Sequence, residues 1–328
     1  MILLVFRDPL RGGTSVEEIY HELIEDLKPT LNISAYYYQD NRSPAYNAWS
    51  IKKLKPALVH ITSDVYFISP LLSGIPSILT IHDIGRYKEL SGLKKKVYEW
   101  IWLKIPIMLA KKVISVSDFT SRDIKENLGK FAVKKLVRIY NPLPSILKPV
   151  PKEFNRHRPV ILQVGTLPNK NIETTIKALA GLQCQFVVLG ILSDAQKKLL
   201  QDNNIEYANY YNLDFQEVYQ KYIECDIVTF VSLYEGFGMP VIEAQAVGRP
   251  VICALNSSLR EVAGDGALFV RNVLDEIEIR DKIKSLITNP FLSRELIDKG
   301  YINVEKFERS SIVQTYMDLY KSVLAKGA

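Results

Sequence analysis

Cysteine is scarce in this chain. Three occur in 328 residues, Cys184, Cys225 and Cys253. Each sits in or beside an apolar run, which excludes a disulfide scaffold and reads as buried, reduced thiols. No Cys-x-x-Cys pair or Cys/His cluster offers a metal site, and Asp-x-Asp occurs nowhere. No stretch of about 18 uninterrupted apolar residues is present to cross a membrane. The start MILLVFRDPL has no basic leader, and its apolar run from Ile2 to Phe6 suits a buried strand rather than a signal peptide. A cytoplasmic protein is therefore expected. No strand pattern leads into Gly-x-Gly-x-x-Gly with an acidic residue about 20 positions further on, which weighs against a dinucleotide dehydrogenase.

What is present fits a globular enzyme-sized chain. Hydrophobic residues make up 47% and charged residues 24%, too apolar for disorder. At about 150 residues per domain the length predicts two domains. The net charge of +6 is unevenly spread: residues 1–150 hold 22 Lys+Arg against 14 Asp+Glu, and the remainder 20 against 22. A basic first half suits an anionic membrane, a phosphorylated substrate or nucleic acid. Lys94, Lys95, Lys96, Lys104, Lys111 and Lys112 carry much of it, interleaved with Tyr98, Trp100, Ile101, Trp102 and Leu103. Tryptophan beside lysine fits a membrane interface. The plainer alternative is a buried helix with a solvated lysine edge, and Pro106 interrupts a single amphipathic helix.

β-Branched runs alternate with helical patterns along the whole chain. Strands are predicted at 2–6, 58–61, 77–81, 113–116 and 136–139, then at 160–164, 185–189, 227–231 and 251–254. Helices are predicted at 16–27, 121–127, 172–182, 194–202, 215–225 and 240–246, with an amphipathic helix at 310–324. This alternation predicts parallel sheets with helices on both faces. The proline-rich stretch from Asn141 to Pro159 reads as a linker. The expected division is 1–145, 146–309 and a terminal helix 310–328 packing back on the first domain. Ligands of such sheets bind at the carboxyl ends of the strands.

The segment Ser232-Leu-Tyr-Glu235-Gly236-Phe237-Gly238-Met239-Pro240-Val-Ile-Glu243 follows an apolar strand and ends in a helix. Pro240 suits a first helical position. Gly236 and Gly238 permit a tight turn and exposed amides, which with the helix N-terminus make an anion-binding pole. Glu243 lies one turn on and is expected to point back to the same cleft. Two carboxylates eight residues apart around a glycine loop suit a polyhydroxylated ligand; a capped turn with exposed glutamates is the alternative.

Glu235-x7-Glu243 in this loop resembles the motif of retaining glycosyltransferases of family 4, which have the GT-B fold. The likeness continues through Gly248-Arg-Pro-Val251, Asn256-Ser-Ser-Leu259 and Glu261-Val-Ala-Gly264-Asp-Gly-Ala-Leu268. Val164-Gly165-Thr166-Leu-Pro-Asn169-Lys170-Asn171 resembles the family's second-domain loop, whose basic residues hold the donor diphosphate. Lys170 matches one of them, and Thr166 stands at or near the place where the other is often Arg. Arg11-Gly12-Gly13-Thr14 resembles the N-terminal glycine loop, and Leu79-Thr-Ile-His82-Asp83 the strand-end His-Asp pair near the donor sugar. Val116-Ser117-Asp118 resembles a serine stretch before the linker, giving Ser117 a positioning role. Where relatives place an aromatic residue before the last helix, after a Phe and a Ser, this chain has Phe307-Glu308-Arg309.

The resemblance implies two Rossmann-like doubly wound domains facing a central cleft, with the terminal helix crossing back to the first. It implies transfer of a sugar, with retention, from a UDP-sugar or GDP-mannose to a hydroxyl of a glycan or lipid-linked acceptor, in surface polysaccharide, lipopolysaccharide or capsule biosynthesis. Glu235, His82 and Lys170 would be the catalytic residues. The donor would be bound by Gly13, Thr14, Gly165, Thr166 and Lys170, together with Phe237, Gly238, Met239 and Glu243. The leaving phosphate oxygen would take the acceptor proton, so no dedicated base is named. No cofactor and no metal are expected, since lysine and backbone dipoles replace a cation. The expected partners are the donor, the acceptor and an anionic membrane surface at its cytoplasmic face, with nucleic acid excluded. The alternatives are a sugar-nucleotide epimerase on the same fold and a non-catalytic GT-B subunit that binds a transferase or a glycan.

Overall fold

The structure, a computed structural model, describes residues 1–9 and 15–325, leaving out the side chains of residues 15, 16, 130 and 131. It divides into two compact units, Met1–Pro142 with Arg309–Ala328, and Leu143–Glu308.

The first unit is built on six parallel strands: β1 (Ile2–Phe6), β2 (Ile33–Tyr37), β3 (Leu58–Ile61), β4 (Ser77–Ile81), β5 (Lys112–Ser115) and β6 (Leu136–Arg138). Their order is β2-β1-β3-β4-β5-β6. The second unit has β7 (Val160–Val164), β8 (Gln185–Leu189), β9 (Tyr207–Tyr210), β10 (Ile227–Phe230), β11 (Val251–Ala254) and β12 (Ala267–Val270), in the order β12-β11-β10-β7-β8-β9, again parallel. Central strands β1, β3, β4, β10 and β11 are buried along their length. Helices cover both sheet faces, so these strands carry continuous apolar runs rather than alternation. Each order reverses direction once: between β1 and β3 in the first unit, and between β7 and β10 in the second. Helices leave the two strands of such a pair towards opposite faces, and the loops beyond their carboxyl ends splay apart into a ligand crevice.

Short polar residues start several helices as the alternation requires. The Ser117 hydroxyl accepts from Thr120 N at 3.0 Å and opens helix Asp118–Leu128. Ser193 with Gln196, and Asp214 with Glu217, close reciprocal capping boxes at the starts of helices Asp194–Asp202 and Phe215–Glu224. Pro106 stands in the first turn of helix Ile105–Leu109, where its missing N–H breaks no bond. A π-helical turn, Glu99–Lys104, joins that helix to Gly92–Tyr98.

The last helix, Arg309–Ala325, belongs to the first unit. Arg309 pairs with Glu22 at 2.5 Å and Asp26 at 2.7 Å. Deeper in, fully buried His60 lies between the Tyr320 hydroxyl, 2.7 Å from Nδ1, and Thr80 Oγ1, 2.7 Å from Nε2. Tyr20 donates to the same Thr80 oxygen at 2.9 Å and lies 3.2 Å from the Tyr316 hydroxyl. Burial pushes the His60 pKa down to about 3, so the ring is neutral and uses one nitrogen as donor and the other as acceptor. Tyr320→Phe strands one of those nitrogens in the core. The variant is expected to lose about 1–3 kcal/mol in urea unfolding; an unchanged midpoint would show that the contact does not anchor the helix.

Candidate functional site

In the second unit the loops after β7 and β10 meet at the reversal of strand order. Lys170 follows β7 in a short 3-10 turn, Pro168–Lys170, and its Nζ lies 2.6 Å from Glu235 Oε1 and 4.9 Å from the Phe230 ring centre. Both partners of the ion pair are mostly shielded, with side-chain exposures of 19% and 12%. Asn169 binds across the gap at backbone level: its carbonyl accepts from Leu233 N at 2.8 Å, and its Nδ2 donates to Tyr234 O at 3.3 Å. Asn171 adopts the left-handed conformation and donates to Val231 O and Val273 O.

The glutamate loop is held from its other side by residues after β11. Asn256 Nδ2 donates to Ser232 O and Leu233 O. Glu235 N donates to Ser257 Oγ at 3.2 Å, and Ser258 Oγ lies 3.0 and 2.9 Å from the carbonyls of Glu235 and Phe237. The loop then turns through Gly238, whose φ of +104° suits glycine alone; a Cβ there would stand 2.5 Å from Leu259 Cδ2. Helix Met239–Val247 begins at once, with Pro240 in its first turn and no side-chain cap. Its leading N–H groups make the helix N-terminus a positive pole. Phe237 packs edge-on against buried Phe307, centroids 5.5 Å apart, and Phe307 O accepts from Leu143 N at 2.9 Å.

Glu243, expected to point towards a cleft, is instead 2% exposed in that helix. Its Oε2 accepts from the Tyr222 hydroxyl at 2.7 Å, while Oε1 has no hydrogen-bond partner. Burial raises its pKa to about 7 against the pull of the tyrosine hydrogen bond. Gly165, at φ +92°, packs on the Lys170 side chain. Thr166 does not stand free to imitate an arginine: its hydroxyl donates to Ile191 O at 2.7 Å. Gly13 and Thr14, with the rest of the loop 11–14, lie outside the described residues.

His82 is in the first unit, just beyond β4. Its Nε2 donates to Thr62 O at 2.9 Å, and burial lowers its pKa. The ring is therefore neutral near pH 7, with Nδ1 the unprotonated nitrogen. It lines a cavity of about 960 Å³ together with Ser63 and Arg7, which pairs with Glu17 at 2.7 Å. These residues stand at the carboxyl ends of β1, β3 and β4, at this sheet's own reversal.

Comparison with known proteins gives the same answer for both units. Residues 147–302 match the family model of glycosyl transferases group 1, and residues 9–144 that of glycosyltransferase family 4. This chain is a GT-B glycosyltransferase of group 1 and family 4. The transferase is 26% identical over 256 residues to an uncharacterized glycosyltransferase of Methanocaldococcus jannaschii, covering 76% of this chain and 69% of the relative. It is 28% identical over 216 residues to an O-antigen chain mannosyltransferase of Salmonella typhimurium, covering 63% and 60%. The chain thus spans about two thirds of the length of these relatives. Among solved structures, sucrose-phosphate synthase from Thermosynechococcus elongatus aligns with a TM-score of 0.80 at 18% identity, covering 99% of each chain. Anabaena HepE in complex with UDP and glucose aligns at 0.76 and 16%, covering 98% of this chain and 99% of that one. These two show the fold.

The glycosyltransferase sequence alone leaves several supporting residues unmarked. Asn169 and Ser258 tie loops whose contact depends on strand order, and Tyr222 reaches Glu243 from a neighbouring helix. Phe307 is visible only as a departure from the family pattern. Glu243 also makes a testable prediction. Its folded pKa of about 7 lies above the ordinary 4.5, so the native state holds the proton more tightly. Stability from this group is present in acid and is lost as pH rises from 4.5 to about 7, by about 3 kcal/mol in all. Glu243→Gln is expected to remove this group's contribution, so the variant gains stability relative to the parent as pH rises across this range; a parent–variant difference that stays constant with pH would overturn the assignment.

Proposed function

We propose that the transferase moves a sugar from a UDP- or GDP-sugar to a hydroxyl of a glycan or lipid-linked acceptor, with retention at the anomeric carbon, in surface polysaccharide, lipopolysaccharide or capsule assembly. The Lys170–Glu235 pair carries the reading. It stands at the carboxyl ends of β7 and β10, beside the N-terminus of helix Met239–Val247. The relatives' names agree in kind: an O-antigen chain mannosyltransferase and a structural neighbour in complex with UDP and glucose.

The costly event is departure of a diphosphate from an oxocarbenium-like carbon, so charge must be met where it develops. Lys170 exchanges its carboxylate partner for phosphate oxygens as the donor enters, which frees Glu235 for the sugar hydroxyls. The amides of Phe237, Gly238 and Met239 add fixed dipoles that need no reorganisation. Glu243 is assigned the ribose hydroxyls by resemblance, and its Oε1 is the carboxylate oxygen left without a partner. Gly165 lets the β7 loop pack against the Lys170 stem, and Thr166 fixes that loop through Ile191. Gly13 and Thr14 are assigned backbone contacts to the diphosphate by resemblance. His82 positions the sugar as a neutral ring, and the departing phosphate oxygen takes the acceptor proton. We assign the reaction to a metal-independent route. The chain also reaches an anionic membrane at its cytoplasmic face through Lys94, Lys95 and Lys96, beside exposed Trp100 and Ile101.

Thermal shift against UDP, GDP and their sugar conjugates tests the donor, since a ligand at a hundredfold excess over Kd adds about 2.7 kcal/mol. Lys170→Ala is expected to fold, to lose about 10²–10³ in kcat and to respond to EDTA no more than the parent does. NMR of the product must show the donor's anomeric configuration; inversion would overturn the retaining assignment, and EDTA inhibition the metal-independent one. Charge reversal of Lys94, Lys95 and Lys96 should abolish sedimentation with phosphatidylglycerol vesicles, and unchanged sedimentation would refute the membrane contact.

A further inference from the structure

We infer that Tyr222 is a positioning residue of the donor site: its hydroxyl fixes the Glu243 carboxyl so that one oxygen is kept for the ribose diol, which makes the site selective for ribonucleotide over deoxyribonucleotide donors. This deepens the transferase reading above and rests on it.

A carboxylate can accept about four hydrogen bonds, and burying one is costly unless those sites are filled. Glu243 is buried, yet among the described residues its carboxyl receives one such bond, from the Tyr222 hydroxyl to Oε2 at 2.7 Å, and Oε1 receives none. The direction of that bond is fixed. Tyr222 is wholly buried, and burial beside Glu243 raises its pKa well above the ordinary 10, so the phenol keeps its single proton and donates it. Oε2 is thereby taken, and the carboxyl cannot rotate without giving up its donor. What is left is a buried acceptor oxygen that the protein does not pair, and such a group calls for a partner from outside. The ribose of a nucleotide offers two adjacent hydroxyls, and a 2′,3′-dideoxyribose offers none. Core packing alone asks for no hydroxyl at position 222, since a phenylalanine ring would fill the same space.

The two helices that bear these side chains are joined at their ends by one buried guanidinium, that of Arg249. Its Nε donates to Tyr222 O at 2.9 Å and its Nη2 to Ile223 O at 2.8 Å, in the last turn of helix Phe215–Glu224. Its Nη1 donates to Val247 O at 3.2 Å and Gly248 O at 3.1 Å, at the end of helix Met239–Val247. Carbonyls at a helix end have no partner within the helix, and a positive charge suits both ends. The hydroxyl and the carboxyl therefore meet on a frame that does not depend on their own contact. Tyr219, three positions earlier on the same helix, donates instead to Lys148 O at 3.4 Å and supplies an internal control.

Calorimetry on the full chain compares UDP and GDP with their 2′,3′-dideoxy forms. The ribonucleotide is expected to bind at least about tenfold tighter than its dideoxy form, a factor that one hydrogen bond to a charged group supplies. Tyr222→Phe is expected to bring that ratio below about threefold while the dideoxy affinity changes by less than about twofold, and to raise the donor KM with kcat little altered. Tyr219→Phe should keep the parent's ratio. In a Glu243→Gln background Tyr222→Phe should have no further effect on the ratio, because the two side chains act as one unit. Tyr222→3-fluorotyrosine keeps both ring and hydroxyl, and its fluorine resonance should move on adding the ribonucleotide and much less on adding the dideoxy form. A ratio that survives in Tyr222→Phe, or affinity for both forms lost equally, overturns this inference alone. A parent ratio near one overturns it together with the ribose assignment of Glu243. No binding of UDP or GDP by the folded parent overturns the nucleotide-sugar reading beneath it, and this inference with it.

Discussion

The ion pair between Lys170 and Glu235 depends on one topological fact, the reversal of strand order between β7 and β10. Two adjacent parallel strands whose helices depart to opposite faces cannot fill the space beyond their ends with helix. Backbone polar groups are exposed there and must be paired. Asn169, Asn171, Asn256 and Ser258 do this with side-chain amides and a hydroxyl, at the positions where a ladder would otherwise continue. The lysine and glutamate are thereby held by a rigid frame rather than by each other. That matters because a partly shielded ion pair gains little net free energy on its own.

The first unit meets the same constraint differently. Its reversal between β1 and β3 opens onto a cavity, and the surrounding helices are tied by the His60 cluster rather than by loop-to-loop amides. Two buried ionisable groups then pull the protein's acid response in opposite directions. Protonation favours the native state through Glu243 and opposes it through His60, whose folded pKa of about 3 lies below its ordinary 6.5. Between pH 4.5 and 6.5 the two largely offset each other.

Much of this was legible in the residues. Central strands declare themselves because burial on both faces demands uninterrupted Val, Ile and Leu. The Glu235 loop declares itself through glycines, a proline in the first helical turn and a fixed carboxylate spacing. Edge strands β2 and β9 did not, since Ile33–Tyr37 and Tyr207–Tyr210 are only half-buried and mix tyrosine with serine, alanine and asparagine. Helices Pro44–Lys53, Glu276–Thr288 and Pro290–Val304 were likewise missed, polar or charged residues interrupting their apolar stripes. The segment 92–109 was the hardest to read. Pro106 looked like a break in one helix, whereas the chain makes a π-helical turn and starts a new helix at that point. The burial of Glu243 follows from Tyr222, 21 positions earlier on another helix, and no local pattern announces such a contact.

The terminal helix has a consequence for how the chain comes into being. Synthesis runs from the N-terminal side, yet the first sheet's buried histidine waits for Tyr320, 260 positions later. The second unit is complete once Glu308 has emerged. On the ribosome the later-made half can therefore close on itself while the earlier-made half still exposes a polar gap in its core. The unit that is made first is the last to be sealed, and it is the unit that carries the cavity beside His82.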